Sequence, residues 1–202
     1  MLIDINKNMK IKGIIHIGGH YGQEYLLYKN KKIQNIMFFE PVPSNFAILK
    51  EKLEGKAILI NKAVGAESKK IEMFIETANQ GMSCSILQPK LHLEKHPKIQ
   101  FTLKIEVDMI KLDEINIDKK NYNMLVVNVQ GYELEVFKGA IILLENIDYI
   151  ITEVNREELY INNPLIEDID AFLGQHNFLR TDTKWMPSGW GDALYVKQIK
   201  LF

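Results

Sequence analysis

The sequence predicts an open α/β domain whose mostly parallel sheet is closed at its C-terminal end by one antiparallel hairpin. Short apolar runs bounded by turn residues alternate with segments of helical period, the mark of βαβ units. One run, MLVVNV at 124–129, is apolar almost throughout, as a strand covered on both faces must be. The last two strand-like runs, 178–181 and 193–196, are joined by a short polar and aromatic segment with no helical period, and so short a connection forces an antiparallel pair.

The elements follow in order. The first strand, 13–17, ends in Gly18-Gly19, and helical period runs over 21–28. The second strand, 36–39, ends in Glu40-Pro41, after which Ser44 is expected to cap a helix reaching Leu53. The third, 57–60, ends in Asn61-Lys62-Ala63-Val64-Gly65. Strands are expected at 71–76 and 99–107, flanking a polar loop at 78–85 that lies over the sheet edge. The apolar run at 124–129 leads through Gly131 into one helix over 132–145, and strand 149–154 precedes a helix over 166–176. With the hairpin, the sheet is expected to hold seven strands.

The 202 residues suffice for one substantial core, and no repeat or Pro/Gly-rich linker divides the chain, so residues 1–202 are expected to form one domain, or one module of a longer protein. Lys plus Arg number 25 against 26 Asp plus Glu, which supplies no positive field for a nucleic-acid backbone. The single cysteine, Cys84, excludes an internal disulfide and a multi-thiolate metal site, and reads as a small packed residue. No apolar run approaches the ~18 residues of a membrane span, and a cytoplasmic location is expected.

In open parallel sheets a ligand sits beyond the carboxyl ends of the strands, where the strand order reverses. The turn after the first strand, Ile17-Gly18-Gly19-His20-Tyr21-Gly22-Gln23, is glycine-rich, so backbone can approach a ligand there. His20 stands where a dinucleotide fingerprint has its second glycine, which disfavours a pyrophosphate and leaves room for a ligand without one. Glu40 follows at about 20 residues, where a carboxylate can accept hydrogen bonds from both ribose hydroxyls. It could instead serve only as an acid at the start of the next helix.

These blocks, with Asn45, Gly81-Met82-Ser83-Cys84-Ser85, Val129-Gln130-Gly131-Tyr132-Glu133-Leu134-Glu135-Val136 and Lys138-Gly139-Ala140, together resemble the FkbM family of methyltransferases. The resemblance spans nearly the whole chain. It implies a Rossmann-like class I methyltransferase fold, S-adenosylmethionine as donor, and methylation mostly of oxygen, often on sugars or other glycosylated products. Within the family the sequence is similar to domains of glycan-building enzymes in bacteria and large DNA viruses, chloroviruses among them. A saccharide acceptor is therefore expected, with glycosyltransferase domains or partners alongside. The donor contacts implied are Gly18, Gly19, His20, Gly22, Gln23, Glu40, Pro41, Asn61, Ala63, Val64, Asn128 and Gln130. The sequence departs from the family where His16 and Asn128 stand in place of the usual aspartates, and Asn128 cannot take a proton.

Transfer to a hydroxyl calls for a positioned base. Glu153, at the end of the strand at 149–154, is the first candidate, as base or as metal ligand, unless it merely pairs with Arg156. His20 is the second, since an unshifted imidazole titrates near neutrality. His92 and His96 are spaced to share one helix face and could bind a metal, though such pairs are commonly solvated surface. Whether a divalent metal takes part is left open by the sequence. Ser83, Asn155, Arg156, Tyr160, Trp185 and Trp190 are candidates for acceptor binding, the tryptophans offering an apolar face to a sugar or else pinning the hairpin. Two other readings remain: a module that binds S-adenosylmethionine without turnover, and a methyltransferase for a non-sugar small molecule.

Overall fold

Over residues 1–5 and 9–198, which the computed structural model describes, the chain forms β1 (Gly13–Ile17), α1 (Tyr25–Asn30), β2 (Asn35–Phe39), α2 (Pro43–Leu53), β3 (Ile58–Ile60), β4 (Ala63–Val64) and β5 (Lys69–Glu76). It continues with α3 (Leu91–Lys95), β6 (Phe101–Ile110), β7 (Met124–Val127), α4 (Glu133–Lys138), α5 (Ile141–Leu144), β8 (Tyr149–Asn155), α6 (Ile166–Gln175), β9 (Phe178–Trp185) and β10 (Trp190–Lys197). Seven strands form the main sheet in the order β3-β2-β1-β7-β8-β10-β9. The five strands β3, β2, β1, β7 and β8 run parallel, and β10 pairs antiparallel with both β8 and β9. This is the expected α/β architecture with its closing hairpin.

Strands β1 and β7 are buried at every position because helices cover both faces. On one face Ile15, Ile17, Leu125 and Val127 pack with Val136, Phe137, Leu143 and Leu173 from α4, α5 and α6. On the other, Ile14, Phe38 and Val126 pack with Tyr28 of α1 and with Leu49 and Leu53 of α2. Each such side chain contributes roughly 1.5–3 kcal/mol when taken out of water. The chain moves outward from β1 through β2 to β3 and later returns on the other side as β7, so the order reverses between β1 and β7. That places a crevice at their carboxyl ends.

The elements differ from expectation where backbone geometry overrides periodicity. The first helix starts at Tyr25, not Tyr21, because a turn occupies the intervening residues: Gly22 N donates to Gly19 O at 2.8 Å, with φ of 46° at His20 and 72° at Gly22. Ser44 does not cap α2, which begins at Pro43, a residue whose fixed φ suits the first helical position. The strands expected at 71–76 and 99–107 are found as β5 and as β6, which starts two residues later at Phe101 and runs on to Ile110; β6 pairs with β5 on one side and β4 on the other in a separate three-stranded sheet in the order β4-β6-β5.

The helix expected over 132–145 breaks into α4 and α5. A Cβ on Gly139 would fall 2.0 Å from the carbonyl oxygen of Gly65, so the two backbones touch here and the helix is interrupted. Asp113 then accepts from Ile142 N (2.9 Å) and Leu143 N (2.8 Å), starting α5 afresh. Gly139→Ala is expected to destabilise the fold by about 2 kcal/mol, the usual cost of forcing an added methyl into packed surroundings. A denaturant titration checks this, and an unchanged midpoint would show that the contact yields.

Candidate active site

A cavity of about 390 Å³ opens at the carboxyl ends of β1, β2, β7 and β8, within the range of ordinary small-ligand pockets. Its first wall is the glycine turn. Gly18 N and Gly19 N both donate to Phe39 O, at 2.9 and 2.8 Å, which ties the end of β1 to the end of β2. Gly18 has φ of +81°, and a Cβ there would lie 1.8 Å from Asn128 O, so only glycine brings this turn against the end of β7.

Glu40 braces the same turn. Its Oε2 accepts from His20 N (2.8 Å) and its Oε1 from Val42 N (2.9 Å). Burial pushes its carboxyl up to about 7, against the lowering effect of bonds from Val42, His20 and Asn45. Asn61 acts behind the wall, donating to Glu40 O (2.7 Å) and Pro41 O (3.1 Å). Pro41, Val42, Ala63, Val64, Met73 and Ile86 make the neighbouring wall apolar.

His20 is bonded through both ring nitrogens. Its Nε2 lies 2.8 Å from Gln80 O, and since a carbonyl only accepts, Nε2 carries the proton; Nδ1 then accepts from Gln23 Nε2 at 2.7 Å. No lone pair of His20 is left free to take a substrate proton. The ring instead latches the loop 77–85 over the cavity, with help from Tyr21 Oη, which donates to the same carbonyl. The loop is folded around the buried Glu76, whose carboxylate accepts from Asn79 N (2.7 Å) and Ser83 N (3.2 Å).

The opposite wall is built by Asn128, Gln130 and Glu153. Gln130 Nε2 donates to Asn128 Oδ1 and to Glu153 Oε2, both at 2.8 Å. Gln130 has φ of 56°, and its turn is held by Ser85 Oγ donating to Gln130 O (2.7 Å) and by Glu133, which accepts from Val129 N (3.0 Å) and Gly131 N (3.2 Å). Glu153 is buried, and burial first, then the neighbouring carboxyls of Glu133 and Asp192, push its carboxyl well above the usual range. Burial likewise pushes Glu133 up to about 7. Asp192 faces Glu153 across the β8–β10 pair. Glu153 is held by Gln130 and not by Arg156, whose guanidinium sits 4.0 Å from the centre of the Trp185 ring.

His16 is a core histidine whose Nδ1 accepts from Tyr28 Oη at 3.0 Å, and burial pushes it down to about 4. The cavity wall gathers Gly18, His20, Gln23, Glu40, Pro41, Ala63, Val64, Ser83, Asn128, Gln130, Glu153 and Trp190 of the residues singled out in the sequence. Gly19, Gly22 and Asn61 shape the wall from behind, with Gly22 set against Leu49 and Leu53. Tyr160 lies beneath the wall, its hydroxyl 3.0 Å from Ser83 O and 3.1 Å from Gln130 Oε1. Asn155, Arg156 and Trp185 do not reach the cavity. His92 and His96 do line it, and their i to i+4 spacing was the signal that pointed to a shared face. Among the described residues, no group of three or more His, Cys, Asp or Glu is arranged to hold a metal ion, and no helix is long and apolar enough to cross a membrane.

Residues 16–180 match the family model described as "Methyltransferase FkbM domain". A search of curated proteins found no match. Among solved structures, the fold is similar to methyltransferase FkbM from Methylobacillus flagellatus KT, with a TM-score of 0.62 and 13% identity over 91% of this chain and 43% of that one. This chain therefore spans less than half the length of that protein. It is also similar to magnesium protoporphyrin IX methyltransferase from Synechocystis PCC 6803, a structure with bound S-adenosylmethionine (TM-score 0.52, 8% identity, 92% of this chain and 69% of that one). A third is 1,6-didemethyltoxoflavin-N1-methyltransferase from Burkholderia thailandensis, with bound 1,6-didemethyltoxoflavin and S-adenosylhomocysteine (TM-score 0.52, 8% identity, 93% and 71%). At these identities the likeness concerns the fold.

Proposed function

Since the chain belongs to the FkbM family of S-adenosylmethionine-dependent methyltransferases, we propose that it methylates a hydroxyl of a saccharide, with Glu153 as the general base. One observation carries this reading: a buried carboxyl, held by Gln130, lines the same cavity as the glycine turn and Glu40.

The residues present fit the donor. Glu40 is a buried carboxylate at the cavity wall beside an apolar slot formed by Pro41, Val42, Ala63 and Val64, a pairing suited to a ribose next to an adenine. Asn128 and the Gly18 backbone would hold the methionine part. When bound, S-adenosylmethionine supplies a methyl group made electrophilic by its sulfonium charge. The protein's own tasks are then orientation and proton removal. Gln130 fixes the Glu153 carboxyl, and the raised proton affinity of that carboxyl makes it a competent acceptor for the hydroxyl proton once ionised. The loop 77–85, latched by His20, shields the cavity from water. Trp190 offers its indole to the acceptor.

Labelled donor incubated with a panel of glycosides, with and without chelator, followed by location of the new methyl group by mass spectrometry, tests the reading. Methylation of oxygen on a sugar is the expected result; transfer only to nitrogen or to a peptide would overturn it.

The ribose role of Glu40 has a pH signature. With its carboxyl near 7, the ionised fraction rises about tenfold between pH 6 and pH 8. The ionised form is the stronger acceptor of hydroxyl hydrogen bonds, so donor Kd is expected to fall by up to about tenfold over that interval. Calorimetry at three pH values checks this, and a flat profile would remove Glu40 from the donor site.

A further inference from the structure

Tyr160 stands between the loop 77–85 and Glu153. It follows β8 in the segment leading to α6, and only 1% of it is exposed. The backbone around it is tied down: Tyr160 N donates to Asn163 Oδ1 and Ile161 N to Gln88 O, both at 2.8 Å. His92 and Phe101 flank the ring, with centres 5.3 and 6.4 Å away. Packing and backbone thus aim the hydroxyl without help from its own hydrogen bonds.

Two acceptors meet this hydroxyl. Tyr160 Oη donates to Ser83 O at 3.0 Å and to Gln130 Oε1 at 3.1 Å, so its one proton is shared between them. The first acceptor is in the loop; the second belongs to the amide whose Nε2 donates to Glu153 Oε2 at 2.8 Å. Turned end for end, that amide would point an oxygen at Glu153, where an ionised carboxylate needs a donor. The phenol proton on Oε1, with Asn128 Oδ1 on the Nε2 side, fixes the orientation that suits the carboxylate. Burial first, then the carboxyls of Glu153 and Glu133, push the phenol well above its ordinary value, so Tyr160 keeps its proton and is not itself the base.

The loop reaches Gln130 by a second route, since Ser85 Oγ donates to Gln130 O at 2.7 Å. Near its other end it is bonded through Gln80 O to His20, whose backbone N–H donates to Glu40. The loop therefore joins the glycine-turn side of the cavity to the side that carries Glu153. Such a connection transmits a change only if disturbing one link is felt at the next, which substitution can measure.

We propose that Tyr160 is a positioning residue for the transfer, whose hydroxyl couples closure of the loop to the setting of Glu153 by bonding Ser83 on one side and Gln130 on the other. The proposal rests on Glu153 being the base of a methyl transfer and deepens that reading by naming the residue that orients the base while the loop is closed.

Tyr160→Phe keeps the ring and its packing and removes only the hydroxyl. Glu153 then loses part of the Gln130 bond that favours its ionised form, so its proton affinity rises. Glu133, Asp192 and the amino group of Met1, the other charges acting on this carboxyl, are left as they are. Carbon-13 titration of the side-chain carboxyls, with the Glu153 signal assigned from its absence in Glu153→Gln, is expected to show a midpoint higher by about half a pH unit in Tyr160→Phe. Amide exchange at Ser83 is expected to quicken about fivefold, the loss of one neutral hydrogen bond from the loop. In steady-state transfer kcat is expected to fall about tenfold, with glycoside KM and donor Kd within about twofold, and the acid limb of the kcat profile moves to higher pH with the titration. In a Gln130→Met background the same change costs less than about twofold in kcat, because the link through which it acts is already gone. An unmoved Glu153 midpoint, an unchanged Ser83 amide or an undiminished loss in the Gln130→Met background overturns the proposal. So does a raised glycoside KM with kcat unchanged, which would make Tyr160 an acceptor contact. The titration needs no acceptor and therefore separates the two readings. A midpoint that moves in a protein that transfers no methyl group supports the setting of Glu153 by Tyr160 and sinks the methylation reading, whereas an unmoved midpoint in an active enzyme sinks only the role of Tyr160.

Discussion

Glu153→Gln is expected to lower kcat about 1000-fold while donor Kd changes less than about threefold, within the span that positioned general bases provide. The amide keeps the shape of the side chain and an oxygen that can still accept from Gln130 Nε2, so the wall between Asn128 and Tyr160 stays in place. What disappears is the ability to accept a proton. Single-turnover transfer from labelled donor measures the chemical step directly, and a variant retaining more than about a tenth of the wild-type rate would remove Glu153 as base.

The same substitution is expected to raise thermal stability at neutral and alkaline pH. The carboxyl of Glu153 is pushed up by burial and by the carboxyls of Glu133 and Asp192, so its folded-state value exceeds its unfolded one. A group shifted in that direction contributes stability that is full below the unfolded value and is lost as pH rises through the folded value. The wild type and Glu153→Gln should therefore melt together in acid, and the variant should hold a growing advantage toward pH 8. A gap that narrows with rising pH would contradict the placement of this acid in a dry, negatively charged corner. If Glu153 is the base, function and stability pull in opposite directions at this residue, as they often do where a charge is buried for chemistry.

Strand identity was readable because β1, β2 and β7 are short, largely apolar runs followed at once by Gly18, Glu40 and Asn128, and the hairpin was readable because no helix separates its strands. Periodicity alone could not show that Gly139 meets the backbone of Gly65, since that contact joins residues far apart in the chain, and α4 and α5 were read as one helix. The glycine turn and Glu40 were visible from spacing, but the bonding of both Glu40 oxygens to backbone N–H groups was not. His20 looked like a spare base in the sequence; only the loop that folds back to place Gln80 O against it shows both ring nitrogens engaged. Conversely, the His92 and His96 pair resembled solvated surface, because nothing local announces that Phe101 and Tyr160 will enclose one of the rings. Trp185 and Trp190 are adjacent in the hairpin yet diverge: Trp190 lines the cavity while Trp185 stacks with Arg156.

Glu40→Ala is the counterpart of the Glu153 change, and it should strike binding in place of chemistry. Two ribose hydroxyls donating to one carboxylate are worth about 1.5 kcal/mol each, ~3 kcal/mol together, which corresponds to a donor Kd raised about 100-fold. Part of the loss arises inside the protein, because His20 N and Val42 N lose the acceptor that orders the turn. Glu40→Gln separates these contributions: its single amide oxygen can satisfy one backbone N–H, and its NH₂ group opposes the other. If the carboxylate binds the ribose, both variants weaken S-adenosylhomocysteine as strongly as S-adenosylmethionine, since the two share the adenosine. A loss confined to the charged donor would instead mean that Glu40 acts on the sulfonium through space, and the adenosine would have to lie elsewhere along the cavity. Calorimetric titration of both ligands against both variants distinguishes the two arrangements.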